Sequence, residues 1–206
     1  WVSGDRGFAA VPGQETQFRD SFLRGADLAN RLGAARLHVM AGVAKGPQAE
    51  QVFVENLAWA AAQAPDQRLV IEPLNPDDMP GYFLNDFDQA ARILDDLGLA
   101  QVGLQFDLWH AARIEGHAQA VWDRHKAQVS HIQIAGFPSR NEPGGGGLRR
   151  CSVHAPPSQY RSPPGRSTSG YQPAGVAPAP ISSEPLCVRP PTQPSGRSLS
   201  GTAAAT

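Results

Sequence analysis

Three apolar runs of this 206-residue chain each end on an acceptor side chain: Glu72 in RLVIEPLN, Asp107 in VGLQFDLWH and Gln133 in VSHIQIAG. An acceptor buried in a β-run without a partner costs roughly 2 kcal/mol or more, so three in equivalent positions imply a shared partner. A divalent cation is the simplest one. Two carboxylates and an amide oxygen form a hard-oxygen set suited to Mg or Mn and less well to zinc. The competing explanation for Glu72 and Asp107 is an ion pair at the rim, with Arg113 or Arg140 as partner. His110, three residues after Asp107, has the chemistry to bond a substrate hydroxyl or carbonyl, or to be satisfied by a backbone carbonyl. His38 in LHVMAG carries the same two readings. Arg140, beside Glu142 in PSRNEPGGGG, is either a two-pronged clamp for a substrate carboxylate or a solvated loop arginine.

These side chains must be held by the elements around them. Apolar spacing predicts helices over 14–32, 48–64, 86–97 and 117–126, closed by Gly33, Pro65 and Gly98 after the first three. Between them, 36–42, 68–75, 102–110 and 129–136 read as short buried strands. Strands alternating with helices predict a parallel sheet covered by helices. An open doubly wound sheet would be expected to carry a glycine-rich strand-to-helix turn, and no GxGxxG or GxxxxGK[ST] follows any strand. A (β/α)8 barrel places its chemistry at the carboxyl ends of several strands, as here, so the barrel is favoured. Within each run Glu72 shares a face with Val70 and Leu74, Asp107 with Gln105 and Trp109, and Gln133 with His131 and Ala135. These phases are compatible with convergence of the three acceptors.

Composition separates the chain into two parts. From Leu148 onward there are six Arg, no Lys and one acid, Glu184, a balance of +5, while the remainder carries 12 basic and 18 acidic residues, a balance of −6. That tail also holds eleven of the nineteen prolines and neither Phe, Trp nor Met. Such a stretch lacks the apolar surface to offset its ordering entropy, so residues 144–206 are expected to be a disordered Pro/Ser/Arg/Gly-rich tail and residues 1–143 the folded domain. Its arginines are scattered among Pro and Ser rather than clustered, which argues against nucleic acid as a partner. No run is apolar enough to cross a bilayer, and the cytoplasm is the expected compartment. Cys151 and Cys187, the two cysteines present, are far apart, which supports neither a disulfide scaffold nor a thiolate metal site. Starting at Trp1 in a glycine-rich stretch, the chain reads as entering a domain midway.

Taken in order, GDRGFAAVPG, VFVENLAWAA, IEPLNPDDMPGYFL, QFDLWHAARIEG and HIQIAGFPSRNEPG resemble the hydroxypyruvate isomerase family, a branch of the xylose-isomerase-like TIM barrels. The resemblance runs from about Trp1 to Gly147. It implies a partial (β/α)8 barrel, about strands four to seven of eight. It also implies metal ligands at Glu72, Asp107 and Gln133, with Glu72 doubling as the first catalytic carboxylate. A fourth ligand, the family's second catalytic glutamate, belongs in a Cys-Glu-Tyr segment on the eighth strand, and this sequence has none. A shifted reading frame from about Gly147 would account for the change of composition.

The implied reaction interconverts hydroxypyruvate and tartronate semialdehyde, with a metal polarising the substrate oxygens and glutamates moving the proton through an enediolate. This chain is expected to be impaired because it has one of the two glutamates. The resemblance also implies a small hydroxy-oxo acid as partner and, for an intact member, a homo-oligomer. One alternative is an isomerase or epimerase of a related sugar acid such as a 2-oxo-tetronate, and another is an inactive fragment. A phosphodiesterase of the endonuclease IV type shares the barrel, but it calls for several histidine ligands and a basic face.

Overall fold

The computed structural model describes residues 6–136 and Arg140, so the expectation for a tail over 144–206 and the reading of Glu142 lie outside the described residues. The chain runs α1 (Glu15–Leu32), β1 (Arg36–His38), α2 (Pro47–Gln63), β2 (Arg68–Ile71), α3 (Phe87–Leu97), β3 (Val102–Asp107), α4 (Leu108–Glu115), α5 (Ala118–His125) and β4 (Val129–Gln133). The four strands form one sheet in the order β1-β2-β3-β4, every neighbouring pair parallel. A doubly wound sheet reverses its strand order at a switch point, whereas this order advances by one strand each time, as around the wall of a barrel.

The helices form for local reasons. Phe18, Phe22, Ala26 and Ala29 make one buried stripe along α1, and Gly33 ends the helix in the left-handed conformation. Pro47 opens α2, where its missing N–H removes nothing from the helix. Asp86 caps α3 by accepting from Gln89 N at 2.6 Å. The stretch 102–110 is not a continuous strand. β3 stops at Asp107, whose Oδ1 accepts from Trp109 N at 2.8 Å and caps α4, so His110 stands on a helix. The first strand is likewise shorter than its apolar pattern, ending at His38 and leaving Val39–Gly42 to meet the 6–13 loop. There Gly7 and Gly42 cross at positive φ, and a Cβ on Gly42 would collide with Gly7 backbone.

Alternation along the strands sorts the side chains into two sides. Leu69, Ile71, Val102, Leu104, Phe106 and Val129 join the core shared with the helices. In that core Phe18, Phe22 and Trp59 tie α1 to α2, and Phe87, Phe106 and Trp122 tie α3 and α5 to β3. The intervening positions, Val70, Gly103, Gln105 and Asp107, face the other side, the interior of the barrel wall. Pairing between β3 and β4 slips by one residue: Leu104 lies opposite Val129 but Gln105 lies opposite His131. The extra residue, Ser130, turns toward Gly103, where an added Cβ would stand 2.7 Å from Ser130 Cβ. After the slip, Asp107 stands opposite Gln133.

Candidate active site

Each element delivers its acceptor to the same end of the wall. Asp107 and Gln133 are the last residues of their strands, and Glu72 follows the last residue of β2 directly, just before Pro73, which has no N–H to continue a ladder. Glu72, Asp107 and His110 are buried, and each offers one ligand atom within 4.8 Å of the others. Gln105 holds the group together from the middle strand. Its Nε2 donates to Glu72 Oε2 at 2.6 Å and to Gln133 Oε1 at 3.1 Å. The carboxylate oxygen left over, Glu72 Oε1, is buried and has no hydrogen-bond partner.

That arrangement is electrostatically costly for a lone anion. Burial first, and then the nearby Asp107, push the Glu72 carboxyl up to about 8 against the opposing pull of Gln105 and Arg140. Burial also raises Asp107, while the Trp109 N–H and the Arg140 guanidinium pull it back. The expected rim ion pair exists for Asp107: Arg140 Nη2 lies 3.2 Å from Asp107 Oδ2. Arg113 does not take part in it and pairs with Asp77 instead. Two neighbouring buried carboxyl groups, one of them with an unpartnered oxygen, are a donor set a hard divalent cation satisfies, so the residues fit such an ion.

The three expected substrate binders surround this pair. His38 Nδ1 lies 3.6 Å from Glu72 Oε2, and burial followed by the charge of His131 lowers its pKa to about 4. His110 Nε2 is 3.8 Å from Asp107 Oδ2, and burial followed by Arg140 lowers its pKa to about 4. Both rings are therefore neutral at pH 7. The Arg140 guanidinium stands over the Trp109 ring, 6.0 Å from its centroid, and beside His110. Gln133 is reached by the Gln105 bridge, but its side of β4 is exposed, since β4 is the edge of the described sheet.

Several participants were not visible as such in the sequence. Gln105 sits two residues before Asp107 and shares its phase, the one signal that marked it. Asn75, fully buried just beyond β2, donates to His110 Nδ1 from its backbone N at 3.0 Å, with its side-chain amide 2.9 Å from the same nitrogen. Asp78 Oδ2 accepts from Asn75 Nδ2 at 2.9 Å and from Trp109 Nε1 at 2.8 Å. The polar run NPDD directly after a strand was the available sign.

A parallel wall advancing one strand at a time, with buried carboxylates gathered at the strands' carboxyl ends, defines a segment of a (β/α)8 barrel carrying an acid–base or metal site. The chain belongs to the xylose isomerase-like TIM barrel family, whose model matches residues 2–159. It is 42% identical over 154 residues to 2-oxo-tetronate isomerase of Cupriavidus necator, covering 72% of this chain and 59% of that protein. It is 36% identical over 152 residues to hydroxypyruvate isomerase of Escherichia coli, covering 71% of this chain and again 59% of the relative. Among solved structures it resembles AP endonuclease, family 2 from Brucella melitensis, with 34% identity and a TM-score of 0.68, covering 72% of this chain and 60% of that one. The chain thus spans about three-fifths of the length of these relatives. No helix among the described residues is long and apolar enough to cross a membrane.

Proposed function

We propose that this site belongs to an isomerase of small hydroxy-oxo acids, interconverting hydroxypyruvate and tartronate semialdehyde. The observation that carries the reading is the Glu72 carboxyl: buried, raised to about 8, and with Oε1 left unbonded. A group that gains and loses a proton near neutral pH is suited to moving hydrogen between adjacent carbons. Glu72 Oε1 would take the proton from the hydroxyl-bearing carbon, a role supported by its lack of a hydrogen-bond partner while Gln105 holds Oε2. Neutral His110 and His38 flank it, and Arg140 supplies the positive charge that a substrate carboxylate needs. A divalent cation, Mg or Mn, held by Glu72, Asp107 and Gln133, would supply polarisation of the substrate carbonyl and its neighbouring hydroxyl.

A second substrate is favoured by a specific observation, the 42% identity to a 2-oxo-tetronate isomerase. That substrate class presents the same oxygens at its reacting end and differs in what lies beyond them. Delivery of the proton to the second carbon calls for a further acid–base group, and the sequence has no Cys-Glu-Tyr segment to provide the expected glutamate. Turnover by this chain is therefore expected to be about 10²–10⁴-fold below that of an intact relative. The test is turnover of hydroxypyruvate and of a 2-oxo-tetronate by the purified full chain with Mg or Mn, beside Glu72→Gln. Slow, metal-dependent conversion lost in the variant supports the reading. Conversion that Glu72→Gln leaves intact sinks it.

A further inference from the structure

Asn75 makes two contacts with one ring nitrogen of His110, and these decide what that histidine can offer a ligand. The backbone N–H of Asn75 can only donate, so His110 Nδ1 at 3.0 Å must accept. The neutral ring then carries its proton on the other nitrogen, Nε2. Nε2 is the atom that faces Asp107 Oδ2 at 3.8 Å. Arg140 Nη2 lies 3.3 Å from it, but two donors cannot bond each other, and the guanidinium's bond there is to Asp107.

The second contact is built rather than incidental. Asn75 Nδ2, 2.9 Å from the same Nδ1, also donates to Asp78 Oδ2, which accepts from Trp109 Nε1 as well. Asn75 Oδ1 in turn accepts from Asp78 N at 3.0 Å, so the amide cannot flip without losing both bonds to Asp78. The chain Trp109, Asp78, Asn75, His110 connects α4 to the segment after β2 and returns to α4, holding the ring at both ends.

We propose that Asn75, oriented by Asp78, is a positioning residue that locks His110 as a hydrogen-bond donor through Nε2. Although His110 stands near enough to Glu72 and Asp107 to be grouped with them as a metal ligand, a protonated Nε2 has no lone pair for a metal. It has a proton to give to a carbonyl or carboxylate oxygen. The ligand this wall takes therefore presents an acceptor oxygen at His110, and a cation is left to Glu72, Asp107 and Gln133. The substrate half of this inference rests on the isomerase reading above; the tautomer half does not.

The test separates the two. In the full chain labelled with ¹⁵N-histidine, two-dimensional spectra report which ring nitrogen bears the proton, and the His110 signal is the one lost in His110→Gln. The expected result is a neutral ring protonated on Nε2. Asp78→Ala should lower the ratio of that tautomer to the other by about fivefold, the weight of one loosened hydrogen bond. Asn75→Asp, which turns the side-chain donor into an acceptor beside Nδ1 while the backbone N–H still donates there, should shift the ratio further toward the Nδ1 tautomer, and Asp78→Asn, which keeps an acceptor for Asn75 and Trp109, should restore the wild-type pattern. A wild-type ring protonated on Nδ1 overturns the proposal even if every variant fails to fold, as does a tautomer ratio unmoved in folded Asn75→Asp. Adding MgCl₂, which is diamagnetic, should leave the Nε2 proton in place, and its loss on addition would make His110 a ligand and overturn the proposal. An Nε2-protonated ring in a chain that turns over neither sugar acid would sink the isomerase reading alone.

Discussion

Replacing Glu72 with Gln should stabilise the metal-free chain, an unusual direction for a change at an active-site residue. The carboxyl of Glu72 ordinarily loses its proton near 4.5, but burial and the neighbouring Asp107 hold the proton until about 8 in the folded state. Between those values this carboxyl holds more protons in the folded chain than in the unfolded one, so its own contribution to stability falls as pH rises through this window. At pH 7 the unfolded carboxyl is ionised and the folded one is still mostly protonated. That is about two and a half decades of proton binding at 1.36 kcal/mol each, a cost of about 3 kcal/mol relative to pH 4.5. The neutral amide of the Glu72→Gln variant would carry no such penalty and would retain an oxygen to accept from Gln105. Urea unfolding in the presence of a chelator, at about pH 5 and about pH 8, measures the difference. His38 and His110, held near 4, add stability as pH rises from about 5 through 6.5 and are common to both proteins, so over that interval the wild type should fall by about 3 kcal/mol relative to Glu72→Gln. Equal pH dependence in the two proteins, or a variant that loses more stability than the wild type as pH rises, would refute the electrostatic account of the site.

Three further outcomes follow from the same structure. Mn or Mg at a hundred times its dissociation constant should add about 2.7 kcal/mol to the unfolding free energy, and calorimetry in two buffers near pH 7 should show about one proton released per ion; Glu72→Gln should abolish the release. Asn56→Ala removes the buried amide that donates to Ala9 O at 2.9 Å and ties the 6–13 loop to α2, so it should cost about 1–3 kcal/mol by the same urea assay. Gly103→Ala should cost about 1–3 kcal/mol through its collision with Ser130, and adding Ser130→Gly should recover most of it, a non-additivity that a double-mutant cycle reads directly.

How far the sequence carried the structure depended on whether each signal was local. The helix stripes of α1, α2, α3 and α5 placed their ends within a residue or two, because repeating apolar positions and the stops at Gly33, Pro65 and Gly98 lie within single segments. α4 was absent from that reading. Its first residues, Leu108, Trp109 and His110, continue the apolar character of β3, and only the bond from Trp109 N to Asp107 Oδ1 shows that the backbone has turned. At the site, Glu72 and Asp107 were legible because a buried carboxylate is conspicuous in an apolar run. Gln105 and Asn75 were not, since each is satisfied by a partner more than thirty residues away. Spacing along one strand does not encode which neighbour will supply that partner.

The one-residue slip between β3 and β4 gives this site a parity. Upstream of it Val129 faces the helices, and downstream Ile132 packs on that same side while His131 and Gln133 look inward, an assignment that depends on Ser130 being counted once and paired with nothing. Pairing Ser130 with Gln105 in an unbroken ladder would leave every side chain chemically unchanged, yet it would interchange inside and outside for the rest of the strand, turning Ile132 toward the carboxylates and Gln133 toward the helices. The contribution of β4 to the chemistry is thus fixed by a number of residues as much as by their kinds. Deleting Ser130 should close the bulge with inside and outside preserved, whereas a residue inserted after His131 should be far more damaging than most substitutions within the strand.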